Sequence, residues 1–333
     1  MQSAKTSSSG ITGKTWLGHL AAFTAYLIFG FNIVISKDLI SGHYISPIGI
    51  FLLRSLGAGT IFWVLSLFLP KEKVALRDLP KIFLASALGF FLTQLTFLVG
   101  IDMITPMECS IVSALTPIFT MFIAAIAIRE PITLKKVGGV LLSFSGVIYL
   151  IVTSMSSDYS GVGKSWVGLL LIIANALCFA MYLGIFKPLI SRYSVVTFMK
   201  WVFLFAFLMA SPLALPDLLK TDFSVIPPRC FWDLAFIIVF ATFVAYFLVP
   251  LGQKIIRPTL VSMYSYMQPI VAIAISIWVG MDMLTPTKVI ATVMVFTGVY
   301  IVNRSRSATP RHDAAEKVPE KIGQVVKRMD NNE

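Results

Sequence analysis

The chain has 333 residues, of which 57% are hydrophobic and only 13% charged, with a mean hydropathy of +0.85. Soluble domains carry roughly a quarter charged residues, so a water-soluble enzyme and most DNA-binding proteins are excluded. The formal charge of +11 is accordingly tested first against loop position, the form basicity takes in membrane proteins.

In chain order the apolar segments fall at about 16–36, 46–69, 81–101, 107–127, 135–153, 166–186, 195–215, 231–251, 258–279 and 286–302. Each approaches the ~20 residues that carry a helix across roughly 30 Å of hydrocarbon. Continuous apolar runs, as opposed to alternation, predict helices and not a barrel. The first segment ends in Lys37-Asp38 and lacks a small-residue cleavage site, so it reads as a retained helix. The Ser-rich start (1–15) is expected to be a flexible cytoplasmic end, 154–165 an extracytoplasmic linker, and 304–333 a disordered basic cytoplasmic tail. Three cysteines and three histidines are scattered without disulfide or metal-ligand spacing; no cofactor and no metal is expected.

Lys and Arg divide unevenly between the two sets of connections. Twenty-one lie in the termini and the even-numbered loops, five in the others, and Arg54 lies inside a span. The positive-inside rule then places both termini in the cytoplasm. The basicity is mostly a topology signal, and no nucleic-acid partner is expected.

The two halves of the sequence resemble each other. Gly18/Gly168, Phe29/Phe179, Lys37/Lys187, Leu39/Leu189 and Ile40/Ile190 align at an offset of 150. Gly100/Gly252, Pro106/Pro258, Pro117/Pro269, Lys136/Lys288 and Gly146/Gly298 align at 152. Five spans per half start the second copy on the opposite side, so the repeat (16–153 and 166–303) is inverted. Inverted repeats mark secondary transporters, whose substrates bind near the midplane between the copies.

The motifs Gly30–Lys37, Ser46–Arg54, Leu115–Thr120 and, above all, Arg129–Val147 with its weaker echo at Met281–Val299 resemble the drug/metabolite transporter superfamily, in its ten-helix branch with two EamA-type domains. The resemblance covers roughly 16–303. It implies an all-α integral membrane protein of ten transmembrane helices arranged as two inverted five-helix EamA-type repeats. It also implies export of amino acids or related metabolites across the plasma membrane, the inner membrane of a bacterium. The second copy has Asp282 where the family more often has Glu, and no clear counterpart of Arg54.

Pro117 and Pro269 sit near mid-bilayer, and each removes one backbone hydrogen bond, freeing the carbonyls of Ser113 and Ser265. With Thr116, Tyr264, Tyr266 and Gln268 they are candidates to line a substrate cavity; the alternative is a packing kink sealed by neighbouring hydroxyls. Arg54, about 12 Å into its span, is either a carboxylate clamp or an architectural partner of Glu108 or of a kinked backbone. Glu108 itself is a candidate proton carrier or a solvated rim carboxylate. Lys200 either meets the ligand or snorkels to the interface. Asn32, Gln94, Tyr182 and Tyr246 are polar groups well inside spans, suited either to substrate or to bonds between helices. Lys37 and Lys187 read as interfacial anchors and Glu130 as a helix-terminal structural residue. The partners are then the bilayer and a small metabolite, with a proton as candidate coupling ion. No phosphate loop or other catalytic motif is present, so no enzyme is expected. A carrier of phosphorylated or nucleotide sugars, which needs several cations, and a non-carrier channel are the alternatives.

Overall fold

The computed structural model describes residues 5–128, 133–158 and 165–304, and its described residues contain helices and no strands. Ten apolar helices dominate: α1 (Lys5–Ser41), α2 (Pro47–Leu67), α3 (Leu76–Met103), α4 (in two pieces, Pro106–Ser113 and Thr116–Ile128) and α5 (Leu134–Asp158). They are followed by α6 (Ser165–Ile185), α7 (Val195–Leu218), α8 (Pro228–Ile255), α9 (Pro258–Val279) and α10 (Pro286–Arg304). Eight contain segments long and apolar enough to cross a membrane. In α5 and α10 the apolar stretches, Val137–Thr153 and Pro286–Val302, are shorter. The ten-helix, all-α membrane architecture expected from the sequence is therefore present. Helix α1 starts at Lys5, so residues 5–15, expected to be flexible, carry helical backbone. Once the apolar stretch beyond Trp16 has nucleated a helix, extending it costs little per residue. Arg129 and Glu130, positions 159–164 of the linker, and 305–333 of the tail lie outside the described residues.

Helix boundaries reflect local chemistry. Ser46, Thr105 and Ser194 each accept an N–H of the first turn of α2, α4 and α7, and Thr105 with Glu108 forms a reciprocal capping box. Helix α9 stops at Gly280, whose φ of 80° closes a left-handed cap. Lys37 donates to the carbonyls of Ile101 and Asp102 (3.0 and 2.9 Å), and its repeat equivalent Lys187 to that of Ile256 (2.9 Å). These lysines thus supply cations to the orphan carbonyls ending α3 and α8, which is more specific than the interfacial anchoring expected of them.

The most extensive helix pairings join one half of the chain to the other: α5 with α10, α2 with α7, α3 with α6, α1 with α8 and α9, and α4 with α6. Without a hydrophobic drive between helices in lipid, close approach depends on small residues. At the α3–α6 crossing a Cβ on Gly168 would lie 2.9 Å from the Gly100 carbonyl oxygen. At the equivalent α8–α1 crossing, a Cβ on Gly252 would lie 3.3 Å from that of Gly18. The two repeats interleave around a shared core, with a layer of polar side chains at its centre.

Candidate functional site

Two π-helical segments sit at matching places in the repeats, Ala87–Phe91 in α3 and Ile237–Val244 in α8. Each is closed by a threonine hydroxyl donating five residues back, Thr93 to Leu88 (2.6 Å) and Thr242 to Ile237 (2.7 Å). A π-turn inserts a residue and re-aims the side chains beyond it, a feature common at functional sites. Just beyond these two segments stand Gln94 and Tyr246, equivalent positions 152 apart, and Gln94 Nε2 donates to the Tyr246 hydroxyl at 2.7 Å. Equivalent residues that bond each other place the pseudo-twofold axis between them. Phe29 and Phe179, also equivalent, meet edge to face at 6.4 Å between ring centres.

A small, partly open cavity of about 50 Å³ lies on this axis. Helix α1 contributes Tyr26, Phe29, Asn32 and Ile33; α3 contributes Thr93, Gln94 and Phe97; α6 contributes Asn175 and Phe179. Ser113 and Thr116 come from α4, Tyr246 from α8, Ser265 and Gln268 from α9. Four repeat-equivalent pairs thus face one space: Phe29/Phe179, Gln94/Tyr246, Ser113/Ser265 and Thr116/Gln268. No lining side chain carries a charge. Three lining groups, the Tyr26 hydroxyl, Gln94 Oε1 and Ser265 Oγ, are buried without a hydrogen-bond partner among the described residues. Unsatisfied buried polar atoms are costly, and these three have hydrogen-bonding capacity left over.

Of the residues singled out from the sequence, Asn32, Gln94, Ser113, Thr116, Tyr246, Ser265 and Gln268 line this cavity. The others are placed elsewhere. Arg54, fully buried, donates through Nε to Thr242 Oγ1 at 2.8 Å and makes no ion pair with Glu108. Glu108 caps α4 and lies 4.0 Å from Lys288. Tyr182 stacks on Phe179, its ring packed against Gly89 in the π-segment of α3. Lys200 sits over the Trp63 ring, 4.8 Å from its centre. The Tyr264 hydroxyl pairs with His19 Nδ1 at 2.8 Å, and Tyr266 lies against Phe296. Near Pro117 helix α4 breaks at 114–115, and near Pro269 a 3₁₀ turn interrupts α9 at Tyr264–Tyr266. The Ser113 carbonyl, expected to be exposed to ligand, instead accepts the Thr116 hydroxyl at 2.8 Å.

Sequence reasoning misses Tyr26, Thr93 and Asn175. Asn175, which donates to the Thr93 carbonyl at 2.6 Å, is visible as an amide in the middle of an apolar helix. Tyr26 is one turn before Phe29, which the repeat alignment marks.

Ten apolar helices interleaved as two halves around an uncharged polar cavity define a polytopic membrane protein. A profile of the EamA-like transporter family matches residues 16–152 and again 166–304. The chain belongs to the EamA-like transporter family. It is 27% identical over 269 residues, 80% of its length and 92% of the relative's, to an "Uncharacterized transporter" of Archaeoglobus fulgidus. It is 25% identical over 317 residues, 93% of this chain and 94% of the relative, to the "Uncharacterized transporter YetK" of Bacillus subtilis. A "Probable terminal-alkyne amino-acid exporter" of Streptantibioticus cattleyicolor is 24% identical over 248 residues, 72% of this chain and 77% of that one. A solved crystal structure superposes with a TM-score of 0.59 at 17% identity, covering 86% of this chain and 96% of its own, and shares the fold.

Proposed function

We propose that the protein is a secondary transporter that exports amino acids or related small polar or amphiphilic metabolites across the plasma membrane by alternating access. Both termini face the cytoplasm, on the uneven Lys and Arg distribution. The observation that carries the reading is the central cavity lined by repeat-equivalent pairs, the arrangement in which one site can be offered to either side by rocking one repeat against the other. The exporter relative supports the amino-acid class. The lining combines aromatic faces, amides and hydroxyls with no cation, which disfavours phosphorylated sugars and nucleotide sugars. It also holds no carboxylate, which favours exchange or facilitated movement over proton coupling through the cavity.

The test is counterflow of radiolabelled amino acids into proteoliposomes holding this protein alone, without ATP. Saturable, trans-stimulated uptake is expected. Gln268→Ala and Ser265→Ala each remove an ordinary hydrogen bond, about 0.5–1.5 kcal/mol, and should weaken apparent affinity ~2- to 12-fold. Normal affinity in both correctly folded variants would place the site elsewhere. Non-saturating flux would indicate a channel.

A further inference from the structure

Among the described residues Arg54 is the largest fully buried side chain, and it is incompletely satisfied. Its Nε is fixed on Thr242, but Nη1 and Nη2 have no partner among the described residues, and no ion pair involves it. A guanidinium inside a membrane span is expensive, and it ordinarily faces an anion or a water-filled path. Its anchor, Thr242, belongs to the π-segment of α8 and lies four residues before the cavity residue Tyr246. Arg54 is thus tied through Thr242 to the helix that carries Tyr246, while neither Arg54 nor Thr242 lines the cavity itself.

We propose that Arg54 is a subsite for a small monoanion, filled by the carboxylate of the transported molecule or by a chloride ion. The planar pair Nη1 and Nη2 matches a carboxylate in bidentate fashion. In the present conformation both atoms are closed off. The subsite opens in the state in which the Gln94–Tyr246 bond parts and the π-segment shifts. The inference rests on the central-cavity reading and, where the substrate fills the subsite, narrows it to substrates bearing a carboxylate, for which the neutral lining offers no cation.

The experiment reads anion dependence directly. The purified protein is melted at constant ionic strength in methanesulfonate, chloride and formate. The expected result is a higher Tm in chloride or formate than in the bulky methanesulfonate, abolished in Arg54→Gln and retained in Arg54→Lys. An unaltered protein with the same Tm in all three salts overturns the proposal even if Arg54 variants fail to fold. Transport of L-leucine is then compared with that of L-leucinamide. A carboxylate subsite gives preference for the acid, lost at least tenfold in Arg54→Gln and competed by formate. Stabilisation by chloride with equal handling of acid and amide assigns the subsite to a resident ion. Because the salt series needs no substrate, its failure is distinguishable from failure of the cavity reading, which Gln268→Ala and Ser265→Ala address.

Discussion

At the end of the bundle that carries the α3–α4 turn, Asp282 locks the α9–α10 connection to the start of α4. Its carboxylate, with the side chain fully buried, accepts the Met107 N–H at 2.9 Å and pairs with Lys288 at 2.5 Å. Lys288 also donates to Thr105 Oγ1 at 3.2 Å and lies 4.0 Å from Glu108. In Asp282→Ala the Met107 amide and the ammonium both lose a charged acceptor. A hydrogen bond to a charged group contributes about 1.5–3 kcal/mol, and removing one member of a buried pair costs about 3–5. Since Glu108 and Thr105 remain to hold Lys288, the loss should be ~2–4 kcal/mol. Asp282→Asn keeps an acceptor for Met107 and should lose about half as much. Adding Lys288→Met to Asp282→Asn removes the stranded ammonium, so the double variant should be less destabilised than the sum of the singles. Denaturant titration in detergent, monitored by tryptophan emission, measures the unaltered chain and every variant. If Asp282→Ala and Asp282→Asn both unfold like the unaltered chain, the lock contributes nothing and the reasoning fails.

Gly168→Ala sets a methyl 2.9 Å from a backbone carbonyl and 2.6 Å from Ile104, so it should cost ~1–3 kcal/mol; Gly252→Ala, at 3.3 Å or more, should cost less, and the two melting curves decide it. Burial alone would raise the Glu72 carboxyl, but hydrogen bonds from the Ser194 amide and the Thr197 and Ser194 hydroxyls outweigh it and hold it below the usual carboxylate range. Its stabilising contribution is present above that usual range and is lost as the pH falls through the depressed value; Glu72→Gln should reduce this acid sensitivity in pH-dependent melts. Cysteines engineered near Lys73 and Arg311 should react with impermeant reagents only from the cytoplasmic side; reaction in intact cells would reverse the assigned topology.

The helix inventory was legible in the sequence because apolar run length and lipid thickness leave one solution. The inverted repeat was legible because prolines and glycines recur at fixed offsets, and the family profile matches both halves. The cavity was half legible. Polar residues at repeat-equivalent depths, such as Gln94 with Tyr246 and Ser113 with Ser265, do face it. Rotation of each helix about its axis was not legible: Tyr264 and Tyr266 turn to His19 and Phe296, and Lys200 turns to Trp63. The π-segments change that rotation by inserting a residue, and no composition signal announces them. Nor does sequence spacing show that the Ser113 carbonyl is recaptured by Thr116.

The central claim, one cavity offered in turn to both membrane faces, is tested most directly by accessibility at Gln268. After Cys109, Cys178 and Cys230 are replaced by serine, Gln268→Cys is labelled with an impermeant thiol reagent from each side of sealed vesicles. Modification from both sides, with rates that shift in opposite directions as a transported amino acid is added, is the predicted result. Modification from one side only, unaffected by any amino acid, would contradict the account.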